Sequence, residues 1–147
     1  PGMEAVRRER LELETELRRL LATADAAHPE FGALALVYQP VVDLASGRPT
    51  SVEALVRWHH PRRGVVPPAA FIPLAEESAL IVPLGRWVTL AACRQLALWE
   101  RALPEHLVPS VAVNLSGRQL EHPELLAEVA EALHDTGVRR ERLTLEI

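Results

Sequence analysis

Glu53, Leu55 and Arg57 alternate with Val52, Ala54, Val56 and Trp58 in the octapeptide Ser51-Val-Glu-Ala-Leu-Val-Arg-Trp58. Side chains along a β-strand point alternately to opposite faces. The spacing therefore puts a carboxylate and a guanidinium on one side, about 13 Å apart at roughly 3.3 Å per residue. The other face is wholly apolar and requires a core to pack against. Carboxylates take hard cations, and the arginine fork matches a phosphate. The pair points to a metal and a phosphoester handled on one surface.

Two further polar residues stand opposite apolar faces in strand-like segments. Asn114 closes the run Val111-Ala-Val-Asn-Leu115, where Val111, Val113 and Leu115 face the other way. Glu146 sits in Leu143-Thr-Leu-Glu-Ile147, again opposite a Leu/Leu/Ile face. Alone, a strand-end Asn is often a turn former and a strand Glu is often a solvated face. Together, two carboxylates and an amide oxygen make an all-oxygen set that suits Mg²⁺ or Mn²⁺ better than Zn²⁺.

Other chemistry-bearing residues carry less. His59-His60 lacks the spacing of a zinc pair and reads as a loop or packing feature. His28, His106, His122 and His134 read as surface residues, and Cys93, in an apolar helical stretch, as a buried small hydrophobe. No Walker loop, GxGxxG, GxSxG or paired CxxC motif occurs.

These residues need elements to position them. Residues 4–27 are rich in Ala, Leu, Arg and Glu, and Val6, Leu13 and Leu20 recur every seven residues, with Leu17 and Ala24 beside them. Such a helix either packs on its own domain or acts as a signalling or dimerising helix. Residues 33–44 and 50–58, joined through Ser46-Gly47, read as a hairpin, and His59 to Pro68 as a loop. Pro67-Pro68 suits a helix entry. Helices are expected over 69–77, 81–101 and 123–134, the last ending near Gly137, with strands at 110–115 and 143–147. Ser116, just past the first of these strands, can cap the segment after it. Alternation of strand and helix after a hairpin points to a parallel α/β sheet or barrel, whose functional residues gather at the strand carboxyl ends. The number of strands suggests half of such a fold, completed by more chain or by another copy.

The 147 residues, 48% of them hydrophobic, suffice for one core, and a net charge of −4 argues against a DNA- or RNA-coating surface. One cysteine excludes an intramolecular disulfide framework. Neither a membrane-spanning run nor a signal peptide is visible, so the cytoplasm is the default compartment, with an anchor in a longer parent left open. Pro1-Gly2-Met3 reads as a cloning remnant.

In order along the chain, Tyr38-Gln-Pro40, Glu53-Ala-Leu55 with Arg57-Trp58, His60-Pro61 and Gly64, Phe71-Ile-Pro-Leu-Ala-Glu-Glu77, Leu84-Gly85, Trp87, Val113-Asn-Leu-Ser116 with Gln119-Leu120, and Leu143-Thr-Leu-Glu-Ile147 resemble the amino-terminal half of an EAL domain. That family hydrolyses cyclic di-GMP. The resemblance divides the chain into a linker or signalling helix over 1–28 and half an EAL domain over 29–147. It implies a modified TIM (β/α)8 barrel with an antiparallel first strand, about the first half of which is present. It implies Glu53, Asn114 and Glu146 as catalytic ligands of Mg²⁺ or Mn²⁺. Gln39, Leu55 and Arg57 would contact the dinucleotide, and Glu76 would play a supporting or structural part. Implied partners are a homodimer mate or an upstream sensory or diguanylate cyclase-type domain. The family's later aspartate pair, lysine and further glutamates have no counterpart in these residues, so the alternatives are a non-catalytic cyclic di-GMP receptor or a dimerising regulatory module. Pro67 stands where a serine is common in the family, and Ala79 where a glycine is.

Overall fold

The computed structural model describes residues 2–147. They form two compact units, one made of the residues up to Ala35 together with Val56–Leu84, the other of Leu36–Leu55 with Gly85–Ile147.

In the first unit, α1 (Gly2–Leu21) buries Leu13, Leu17 and Leu20, the inner part of the sequence seam, while Val6 and Leu11 stay exposed. The helix stops six residues short of the expected Ala27. Thr23 is the cause: its hydroxyl donates to Leu20 O at 2.7 Å and accepts from Ala27 N at 3.0 Å, which replaces helical pairing with a turn. A short β1 (Ala27–His28) then pairs antiparallel with the start of β2 (Gly32–Val42). Gly32 has φ +83°, and a Cβ there would fall 1.7 Å from His59 O, so no other residue fits.

The expected loop after Trp58 is instead partly strand. β3 (Pro49–His60) continues through both histidines and turns into β4 (Gly64–Val66), with Trp58 opposite Val66 and His60 opposite Gly64. The cause is pairing: the buried Trp58 donates from Nε1 to Phe31 O at 2.7 Å and meets the Phe71 ring edge-on at 5.7 Å. Phe71 lies on α2 (Pro68–Glu77), entered through Pro67 and Pro68 as the sequence suggests. His60 is buried, so packing is its role. Its Nδ1 accepts from Arg62 N and Arg63 N at 3.1 and 3.2 Å, which leaves Nε2–H to donate to Glu16 at 3.0 Å. Arg63 also reaches Glu9 and Glu12, so α1 is bound to this hairpin by charge.

The second unit carries the parallel sheet. The later part of β2 turns back into β3 through Asp43, whose N–H donates to Arg48 O at 2.9 Å, while Ser46 donates to the Asp43 carboxylate and holds it below its usual range. Because the two strands are joined by this short turn, β2 runs antiparallel to β3, its neighbour in the sheet. β3 then lies parallel to β5 (Ser110–Asn114), and β5 parallel to β6 (Leu143–Glu146). Val111, Ala112 and Val113 are all buried, as expected of a parallel strand covered on both faces.

The connections are helical: α3 (Ile81–Ala102), which continues from the first unit, then after β5 a short α4 (Gly117–Leu120) and α5 (Leu125–Thr136). The single helix expected over 123–134 is thus preceded by a separate capped turn. α5 ends at Gly137 in the left-handed conformation. Arg142, just before β6, donates to Val108 O at 2.7 Å and forms an ion pair with Glu100 at 3.2 Å, fixing where β6 begins. Cys93 is buried on α3, and burial pushes its thiol up to about 11.

Candidate functional site

Three adjacent strands of the second unit deliver the three oxygen-bearing residues. Asn114 is the last residue of β5 and is paired in register with Glu146, the last residue of β6. Glu53 pairs with Ala112, one residue before the parallel contact of β3 and β5 ends at Ala54. All three therefore gather at the carboxyl ends of the parallel ladder, the place the α/β alternation predicts.

The strongest local contact is between side chains. Asn114 Nδ2 donates to Glu53 Oε1 at 2.8 Å. An amide whose nitrogen is committed to a carboxylate must turn its oxygen elsewhere, so Asn114 Oδ1 becomes an acceptor beside that carboxylate. Glu53 is half-buried, and Asn114 and Glu146 are exposed. Opposite them, Ala54, Val113 and Leu115 are buried and anchor the strands.

The backbone leaving Asn114 is held on both sides. Leu115 N donates to Glu146 O at 2.7 Å, tying β5 to β6 one residue past the Asn114–Glu146 register pair. Ser116 N donates to Gln119 Oε1 at 3.0 Å, and Ser116 Oγ accepts from Gln119 N at 3.3 Å, a reciprocal capping box. The spacing Ser116-Gly-Arg-Gln119 carries that signal, although Ser116 alone was expected to cap. Gln119 is only 4% exposed.

The donor set fits a hard divalent cation: two carboxylates and an amide carbonyl on three consecutive strands, with no sulfur or imidazole among them. Among the described residues no three His, Cys, Asp or Glu side chains come together as a metal cluster, and this set itself has two carboxylates beside its amide. The other expected contact residues are spread more widely. Gln39 is exposed on β2 and Leu55 half-buried on β3, both in the second unit. Arg57 and Glu76 belong to the first unit. Arg57 is half-buried with Nη1 donating to Val56 O at 2.9 Å, and Glu76 is exposed on α2. His28 and His122 are half-buried rather than on the surface: His28 stacks on Phe31, and His122 lies 3.4 Å from Glu128.

Comparison with known proteins agrees with the strand arrangement. The EAL domain model matches residues 22–147. The chain belongs to the EAL domain family. It is 40% identical over 146 residues to the bifunctional diguanylate cyclase/cyclic di-GMP phosphodiesterase MucR of Pseudomonas aeruginosa, covering 99% of this chain and 20% of MucR. It is 42% identical over 127 residues to the cyclic di-GMP phosphodiesterase PdeR of Escherichia coli, covering 86% of this chain and 17% of PdeR. Among solved structures, the PaMucR phosphodiesterase in complex with c-di-GMP superposes with TM-score 0.79 at 39% identity, covering 92% of this chain and 51% of that one. The FimX EAL domain of Xanthomonas citri in complex with c-diGMP superposes at 0.76 with 27% identity, covering 97% and 51%. The chain thus spans about a fifth of the length of these curated relatives and about half of the solved chains.

Proposed function

We propose that the protein carrying this chain hydrolyses one phosphodiester of the bacterial second messenger cyclic di-GMP, giving the linear dinucleotide, with Mg²⁺ or Mn²⁺ held by Glu53, Asn114 and Glu146. The observation that supports this reading is the convergence of those three side chains, Asn114 and Glu146 at the ends of β5 and β6 and Glu53 where the parallel pairing of β3 with β5 runs out, tied by the 2.8 Å Asn114–Glu53 hydrogen bond. A divalent ion bound there would supply an activated water and a clamp on the phosphoryl oxygens.

The remaining roles rest on residue chemistry. Glu53 and Glu146 bring negative charge to one strand-end surface, and Asn114 keeps Glu53 oriented by donating to it. Arg57 offsets phosphate charge with a two-pronged fork. Gln39 offers an amide to the dinucleotide, and Leu55 offers apolar surface to a base. Glu76, exposed on α2, is assigned a structural part. Relatives such as MucR carry a diguanylate cyclase activity beside the phosphodiesterase, which supports a cyclase-type domain as the regulatory partner, the alternatives being a sensory domain or a second copy. No helix among the described residues is long and apolar enough to cross a membrane.

A second reading, binding of cyclic di-GMP without hydrolysis, is favoured by the solved FimX EAL domain holding that ligand. One experiment separates the two. The full-length protein is incubated with cyclic di-GMP and Mg²⁺ or Mn²⁺, and the linear dinucleotide is measured by chromatography. Product that vanishes with EDTA supports the enzyme, whereas binding that survives EDTA with no product supports the receptor.

A further inference from the structure

Gly85 and Gln119 meet so closely that a Cβ at position 85 would force the Gln119 carboxamide to move. Gly85 lies inside α3 (Ile81–Ala102), where glycine weakens a helix relative to alanine. A Cβ at that position would fall 1.7 Å from Gln119 Nε2 and 2.7 Å from its Cδ. The glycine therefore leaves room for the Gln119 carboxamide against the α3 backbone. Gln119 itself is buried, and its Oε1 accepts from Ser116 N at 3.0 Å.

Ser116 is two residues past Asn114, and the residue between them, Leu115, donates to Glu146 O at 2.7 Å. The route from α3 to the metal-ligand set is thus a chain of contacts. Gly85 seats Gln119, Gln119 fixes Ser116 N, and the Ser116 and Leu115 bonds together hold the backbone from which Asn114 reaches Glu53. Outer partners that orient metal ligands commonly matter nearly as much as the ligands.

We infer that Gln119, seated on Gly85, is a positioning residue for Asn114, setting the amide that orients Glu53 and presents its own oxygen to the cation. The inference deepens the proposed phosphodiesterase site and rests on that reading for its cation. The geometric part, control of the Asn114 amide, stands apart from it.

The test uses the 147-residue chain, isotope-labelled, with three variants: Gly85→Ala, Gln119→Ala and the double variant. Two quantities are read: the side-chain amide resonances of Asn114 without metal, and the affinity for Mn²⁺ by calorimetry. Circular dichroism and thermal melting confirm that each variant is folded, and Gln119→Ala serves if Gly85→Ala is not.

The expected result is that both single variants shift the Asn114 amide resonances towards those of Glu53→Ala and weaken Mn²⁺ binding by about tenfold or more. The double variant should be no worse than Gln119→Ala, because alanine at 85 has nothing left to displace. Unmoved Asn114 resonances in folded single variants would overturn the inference, as would strictly additive losses in the double variant. If wild type binds no Mn²⁺ while the resonances shift as stated, the positioning holds and the metal assignment fails.

Discussion

Asn114 Nδ2 donates to Glu53 Oε1 across 2.8 Å, from the end of β5 to the neighbouring β3. The bond makes the amide nitrogen the only proton donor described on either side chain head, since a carboxylate can only accept. Asn114→Asp removes that donor and sets two carboxylates against each other. Like charges raise the pKa of one of the pair in the folded state. A raised folded value gives stability that is present below the unfolded carboxylate value, near pH 4, and lost as pH rises through the folded one. Melting in EDTA should therefore match wild type near pH 4 and fall behind it at pH 7. An equal deficit at both pH values would show that charge is not the cause.

Arg57→Ala should weaken cyclic di-GMP binding more than Mn²⁺ binding. A charge-assisted hydrogen bond is worth about 1.5–3 kcal/mol, so a loss of roughly 10- to 150-fold in nucleotide affinity is expected by calorimetry on the full-length protein. Equal losses for nucleotide and metal would make Arg57 a structural residue, acting through its bond to Val56 O.

Ala79 has φ +62°, a left-handed backbone that a Cβ disfavours. Glycine removes that cost, so Ala79→Gly should stabilise the chain by about 1 kcal/mol in urea unfolding. A destabilised variant would mean that the entropy of the freer unfolded glycine outweighs the relieved strain.

Burial raises the Cys93 thiol to about 11 from 9.0 and the Tyr38 phenol to about 12 from 10.0, Cys93 adding to the latter by its charge. Both folded values lie above the unfolded ones. The unfolded chain therefore loses these protons first as pH rises. Stability from these groups is full below about pH 9 and declines through pH 11–12. Thermal midpoints should fall over that window, and a thiol reagent at pH 8 should leave native Cys93 unmodified. Rapid labelling at pH 8 without unfolding would contradict the burial of Cys93.

Much of the candidate site's geometry was legible because strands have a strict period. The alternation around Glu53, Asn114 and Glu146 specified which side chains oppose the core, and the α/β order placed them at strand ends. The features that were not legible depend on particular pairings that leave no periodic trace. His59-His60 reads as loop until β4 pairs with β3, and α1 reads as six residues longer because Thr23 gives no periodic signal. Nothing in the helical pattern over 81–101 explains Gly85 until the Gln119 amide is found against it. The family resemblance marked a glycine as common at Ala79, and the left-handed φ supplies the physical reason.

The central claim is that Glu53, Asn114 and Glu146 hold one divalent cation. The most direct measurement is a substoichiometric Mn²⁺ titration of the labelled chain, because the paramagnetic ion broadens resonances by proximity. The account predicts that the Asn114 side-chain amide and the backbone amides of Glu53, Asn114 and Glu146 broaden first, and that Glu53→Gln largely abolishes the effect. Broadening centred elsewhere, such as on Glu128 and Glu131 of α5, or broadening indifferent to Glu53→Gln, would contradict it.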